Sequence, residues 1–274
     1  MRILISPAKK MRVLAGVDPQ TTPRYLKEAE EIRTCLERMS FGERKALWKC
    51  SDRIAEDSEK QLAQMRHSAR TPAILAYEGI QYLYMDPESF TAPMRTYVQE
   101  NLRILSGLYG VLRPFDGVVP YRLEMQARIQ VGSAKNLYTF WGNKLYRGVC
   151  PEDGLLINLA SHEYARAIWP YLTGRVRMIT CVFGEKQGTR IRQQGVYAKM
   201  ARGAMVRHLA QTRAESETAL QSFSALDYRF SPEYSHAFEY VFLRAPESAK
   251  AVRPAFEWTE TEDGDGIHSG NQRS

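Results

Sequence analysis

Two hydrophobic patterns alternate along this chain. Short unbroken apolar runs at Arg2–Ile5 and Leu155–Leu159 read as strands buried on both faces. Longer stretches with apolar residues three and four apart read as amphipathic helices. Thr22-Pro23 opens one such helix, running to about Met39, and Ser40-Phe41-Gly42-Glu43 spells a capping box for a second, through Trp48. Ser51-Asp52 starts a third that ends before Thr71-Pro72. Ala73–Tyr77 reads as a strand, and Thr91-Ala92-Pro93 opens a helix expected to continue to Leu105. Downstream, Ser161 caps a helix that Pro170 stops, and Val176–Phe183 with Thr189–Val196 form a hairpin around Gly184 and Gly188. Tyr197–Gln211 is helical and Glu239–Leu243 is a late strand. The elements show neither a strict βαβ rhythm nor an internal repeat. They predict a mixed α/β (α+β) fold, one domain with a central sheet over residues 1–244. Residues 245–274 read as a disordered, acidic tail.

Composition narrows the class. With 274 residues, 44% hydrophobic and 25% charged, the chain can bury a core and is not disordered in bulk. No apolar run approaches the roughly 20 residues of a membrane helix, and the N-terminal run is too short for a signal peptide. The expectation is a soluble cytoplasmic protein without a membrane partner. Residues 1–244 carry 35 bases against 25 acids, a net charge of +10. Such a basic body suits a polyanionic partner, nucleic acid first, or serves solubility alone. Cys35, Cys50, Cys150 and Cys181 are scattered, and the five histidines lack ligand spacing, so no metal or cofactor is expected.

Several local patterns could carry chemistry. In Leu102–Pro114 an apolar run meets Ser106-Gly107-Leu108-Tyr109-Gly110, a Gly-x-x-Gly turn whose amides could approach a phosphate as in helix-hairpin-helix elements; a helix C-cap with a tight turn is the plainer alternative. Arg175–Arg213 holds nine bases and one acid, Glu185, and places Lys199 and Arg202 toward one side of a helix, which favours an anion-binding surface. Ser6-Pro7-Ala8-Lys9 spells S-x-x-K, but its S-D-N and K-T-G partners are absent, so a phosphate-facing loop is the better reading, with Arg12 extending it. Neighbours in Asn158–Tyr164 point about 100° apart on a helix and cannot form a Ser/His/acid relay among themselves. Asn158 and Ser161 could line a cleft, and Arg122 with Glu124 could form a buried ion pair.

Six segments together, ILISPAKK (3–10), LRILSGLYGVLRPF (102–115), PYRLEM (120–125), YTFWGN (138–143), INLASHEY (157–164) and YAKMARG (197–203), resemble the YaaA peroxide-stress protein family, in order from residue 1 to about 244. The resemblance implies a cytoplasmic bacterial protein linked to hydrogen peroxide defence, to lowering unincorporated iron and to DNA repair. It implies sequence-nonspecific binding of duplex or structured DNA, a helix-hairpin-helix element at Ser106–Gly110 and a positively charged cleft. The cleft cations would be drawn from Lys9, Lys10, Arg103, Arg113, Arg122, Lys199 and Arg202. No reaction carries over. The rival expectation is an enzyme acting on a small phosphorylated or nucleotide-like substrate in a cleft lined by Ser6, Lys9, Arg122, Glu124, Asn158 and Ser161.

Overall fold

Five apolar strands pair in parallel because each is flanked by a helical crossover and none leaves a face for water. The computed structural model describes residues 1–150 and 154–245, and the backbone pairing of Thr259–Glu260 with Ile267–His268. The rest of the expected acidic tail lies outside the described residues. The strands of the main sheet are β1 (Arg2–Ile5), β2 (Leu102–Ser106), β3 (Gly110–Leu112), β4 (Leu155–Leu159), β5 (Arg177–Gln187), β6 (Arg190–Arg192), β7 (Arg229–Phe230) and β8 (Glu239–Arg244). Their order is β7-β8-β5-β4-β1-β2-β3, with β6 paired to β5. Strands β8, β5, β4, β1 and β2 run parallel, and antiparallel strands close both sides. The fold is a mixed α/β single domain with a central, mostly parallel sheet.

Helices α1 (Leu26–Arg38), α2 (Phe41–Trp48) and α3 (Asp52–Gln64) come in succession. Ser40 caps α2 through the expected reciprocal box with Glu43. Helices α4 (Ile80–Met85), α5 (Ala92–Asn101), α6 (His162–Ala165) and α7 (Gly195–Thr212) follow. Helix α7 packs on α4, α5 and β5. At Gly203 the backbones of α7 and α4 approach so closely that a Cβ would collide with the Gln81 carbonyl.

Several segments differ from what their residues predict. The helix opened by Pro93 stops at Asn101, and Leu102–Ser106 is strand β2, paired with β1. The segment expected as helix-hairpin-helix is therefore a β-hairpin, with Ser106 opposite Gly110. Ala73–Ala76 is one helical turn, and only Tyr77–Glu78 extends, pairing with Lys10–Met11. The first helix begins at Leu26 rather than at Pro23. Where an apolar run carried no period of its own, long-range pairing decided its state.

The order of connections singles out one end of β1. From β1 the chain crosses to β2 on one side and later returns to β4 on the other. Loops leaving the carboxyl ends of β1 and β4 therefore diverge, which is where open parallel sheets form their crevice.

Candidate functional site

Two polar regions stand out. The first lies at the carboxyl end of β1. Ser6 follows the strand, and its Oγ accepts from the Ser161 amide at 2.8 Å and lies 3.2 Å from the Ser161 hydroxyl, tying the β1 loop to the start of α6. Asn158 is buried: its Oδ1 accepts from the Ala160 amide at 3.0 Å and its Nδ2 donates to Thr180 at 3.2 Å. It braces the end of β4. Lys9 reaches Glu124 at 3.1 Å and Lys10 reaches Glu78 at 3.2 Å. Both lysines expected in a basic cleft thus hold carboxylates, and Glu124 pairs with Lys9 rather than with Arg122.

Glu163, one residue into α6, joins this group. Its Oε1 accepts from the Gln126 amide at 3.1 Å. Burial, and then the Glu124 carboxylate, raise its pKa above the usual carboxylate value, against the pull of Gln126, Lys9 and Met125. Its place inside Ser161-His162-Glu163-Tyr164 was visible in the sequence, but its neighbours were not.

Beneath the loop lies a buried hydroxyl chain. The Tyr121 hydroxyl meets Ser106 Oγ at 2.6 Å and the Tyr77 hydroxyl at 2.8 Å, and Ser106 Oγ accepts from the Tyr109 amide at 2.9 Å. Gly107 is pressed under the Leu123 carbonyl, and Gly110, at φ 72°, lies against the Trp141 ring. The Gly107 carbonyl accepts from Trp141 Nε1 at 3.0 Å. Ser106, Gly107, Tyr109 and Gly110, expected to offer amides to phosphate, are all buried in these contacts.

The second region is a cavity of about 400 Å³ lined by Thr22, Arg24, Arg103, Val111, Arg113, Asp116 and Gly148. Arg103 donates to the Gln99 and Leu102 carbonyls at 3.1 and 2.7 Å. Burial, with Arg2 and Arg113 nearby, pushes its guanidinium down to about 10. Asp116 lies 3.4 Å from Arg113 and is engaged by the Thr21 hydroxyl at 2.6 Å and the Arg113 amide at 2.8 Å. The lining thus carries three arginines and one carboxylate, which Thr21 and Arg113 already engage. Arg24 was not singled out in the sequence, where only its position after Thr22-Pro23 marked it.

Of the seven expected cleft cations, Arg103 and Arg113 line this cavity. Arg122 is half-buried, and its Nε has no acceptor among the described residues. Lys199 is exposed on α7, and the neighbouring Arg202 turns inward, its guanidinium pKa lowered by burial against a small opposing effect of Cys181. Among the described residues no three His, Cys, Asp or Glu side chains gather as a metal site, and no helix is long and apolar enough to cross a membrane.

A family model described as "Peroxide stress protein YaaA" matches residues 1–234. The chain belongs to this family. Its similar relatives carry the name UPF0246 protein. That of Lactiplantibacillus plantarum is 47% identical over 245 residues, 89% of this chain and 99% of its own length. That of Agathobacter rectalis is 46% identical over 246 residues, 89% of this chain and 99% of its own. The relative from Lachnoclostridium phytofermentans is 41% identical over 252 residues, 91% and 99% of the two chains. Membership of the YaaA family sets an oxidative-stress context for both regions.

Proposed function

We propose that this protein is a cytoplasmic DNA-binding member of the peroxide response, holding the phosphate backbone of duplex or structured DNA without reading its sequence and limiting peroxide- and iron-dependent damage. The observation that carries this reading is the cavity lined by Arg24, Arg103 and Arg113. Guanidinium groups grip phosphate oxygens bidentately, and such contacts position a backbone without distinguishing bases. The surplus of bases over acids in residues 1–244 adds long-range attraction.

Fluorescence anisotropy of a labelled duplex across a salt series tests this. Arg24→Glu and Arg113→Glu should weaken binding about tenfold or more and lower the salt slope by about one for each phosphate no longer neutralised. Unchanged affinity and slope in both variants would remove the cavity from the interface.

A second reading has its own observation. The raised Glu163 carboxyl lies near Glu124 and Lys9 at the carboxyl end of β1. A carboxyl that holds its proton more tightly than usual can serve in proton transfer, as chemistry on a small phosphorylated substrate beside Ser6, Lys9, Arg122, Asn158 and Ser161 would need. Turnover of phosphate esters by the wild type, lost in Glu163→Gln, is its test.

A further inference from the structure

The lining of the arginine cavity is graded from buried to exposed. Thr22 and Arg24 come from the segment ahead of α1, Arg103 from β2, Val111, Arg113 and Asp116 from β3 and the turn after it, and Gly148 from the helix Lys144–Val149. Val111 and Asp116 are buried and Arg103 and Gly148 half-buried, whereas Thr22, Arg24 and Arg113 are exposed. Arg24 and Arg113 thus stand where a passing anion meets them, and Arg103 where only an entering one does.

Each arginine keeps donors to spare. Among the described residues Arg103 donates through Nη1 alone, to the Gln99 and Leu102 carbonyls. The Arg113 side chain meets Asp116 through Nε, at 3.4 Å. Arg24 has no hydrogen-bond partner for its guanidinium among the described residues, and that group lies 5.5 Å from the Tyr25 ring centre.

Charge and shape separate the phosphates of DNA. Three arginines against one aspartate leave the lining two positive charges. Arg103, pushed down to about 10 by burial, Arg2 and Arg113, is still protonated at neutral pH. An internal phosphodiester carries one negative charge on two unesterified oxygens and lies on the convex flank of the duplex. A terminal phosphomonoester carries close to two charges on three such oxygens and projects from a strand end. A cavity of about 400 Å³ has the size of a small-ligand pocket and admits such a projecting group, whereas a continuous backbone meets only its rim.

We propose that the arginine cavity takes the terminal phosphomonoester of a DNA strand, with Arg103 as the inner contact and Arg24 and Arg113 shared with the backbone. The inference rests on the DNA reading above and names which phosphate that site selects.

Anisotropy competition at constant ionic strength tests it with four unlabelled duplexes of one sequence: 5′-phosphorylated, 3′-phosphorylated, hydroxyl at every end, and closed by hairpin loops at both ends. At least one phosphorylated duplex should bind about tenfold tighter than the hydroxyl and closed forms, and which one identifies the end. Arg103→Gln should bring that ratio to within about twofold of unity while holding the hydroxyl duplex within about twofold of wild type. AMP, a monoester, should displace the phosphorylated duplex from the wild type at concentrations where the diester cyclic AMP does not. That arm carries the test if Arg103→Gln does not fold. Equal binding of phosphorylated and hydroxyl duplexes, an unchanged ratio in Arg103→Gln, or equal competition by AMP and cyclic AMP overturns the inference and leaves the DNA reading in place. Failure of every duplex to bind overturns both.

Discussion

Arg103 and Arg113 flank the Ile104–Leu112 pair that ends the β2–β3 ladder, and both line the same cavity. Arg113 helps to lower the Arg103 guanidinium pKa, so the two like charges repel. Asp116 offsets part of this from beside Arg113 and also acts on Arg103, which donates to the Gln99 and Leu102 carbonyls. On the proposed reading, an anion held in the cavity would relieve this repulsion.

Arg113→Gln should therefore stabilise the free protein by about 0.2–1 kcal/mol while weakening DNA binding. Urea unfolding and anisotropy on the same preparation check both halves. A fall in stability would mean that the Asp116 contact outweighs the repulsion.

Gly107 has no room for a side chain, since a Cβ would sit 2.5 Å from the Leu123 carbonyl oxygen. Gly107→Ala should cost about 1–3 kcal/mol by forcing the 121–124 segment away from the end of β2. At Gly174 nothing lies within 4 Å of an added Cβ, so Gly174→Ala should leave the urea midpoint nearly unchanged.

For Glu163 the folded pKa lies above the unfolded one, so the native state binds the proton more tightly. Stability then falls as pH rises from the unfolded value through the folded one, and the loss is complete above the latter. Glu163→Gln should remove this decline, making the variant more stable than wild type at neutral pH and similar to it in acid. Urea midpoints across that pH range measure it, and parallel curves for the two proteins would contradict the shift.

Arg244 and Glu185 form a buried ion pair joining β8 to β5, with Nε donating to Oε1 at 2.7 Å. Gln194 donates to the other Glu185 oxygen at 2.8 Å, and the guanidinium carbon lies 3.5 Å from the Tyr197 ring centre. Removing one charge strands the other. Arg244→Met or Glu185→Met alone should cost about 3–5 kcal/mol, and the double variant less than either. Thermal melts of the three settle the ordering.

The capping box at Ser40–Glu43, strands β1 and β4 and the long helix α7 were legible in the sequence because each is specified by its own residues: a cap, an unbroken apolar run, a long proline-free stretch rich in helix formers. Leu102–Ser106 was not. Five residues of Leu, Arg, Ile and Ser fit the end of a helix as well as a strand, and only the partner β1, about a hundred residues earlier, makes them β2. The site divides in the same way. Ser6, Lys9, Asn158 and Ser161 could be selected because a residue at a strand end is local information. Glu163 gained meaning from neighbours on other segments.

The order of residues alone thus fixed the kind of chain: its family, its basic body, and the short-range signals that begin and end its clearest elements. Tertiary packing decided the electrostatics. It neutralised Lys9 and Lys10 with Glu124 and Glu78, turned Arg202 inward, and gathered Arg24, Arg103 and Arg113 around one cavity. A side chain's type sets the sign of its charge. Whether that charge is shielded, buried or left facing a ligand depends on what the fold places within a few ångströms of it.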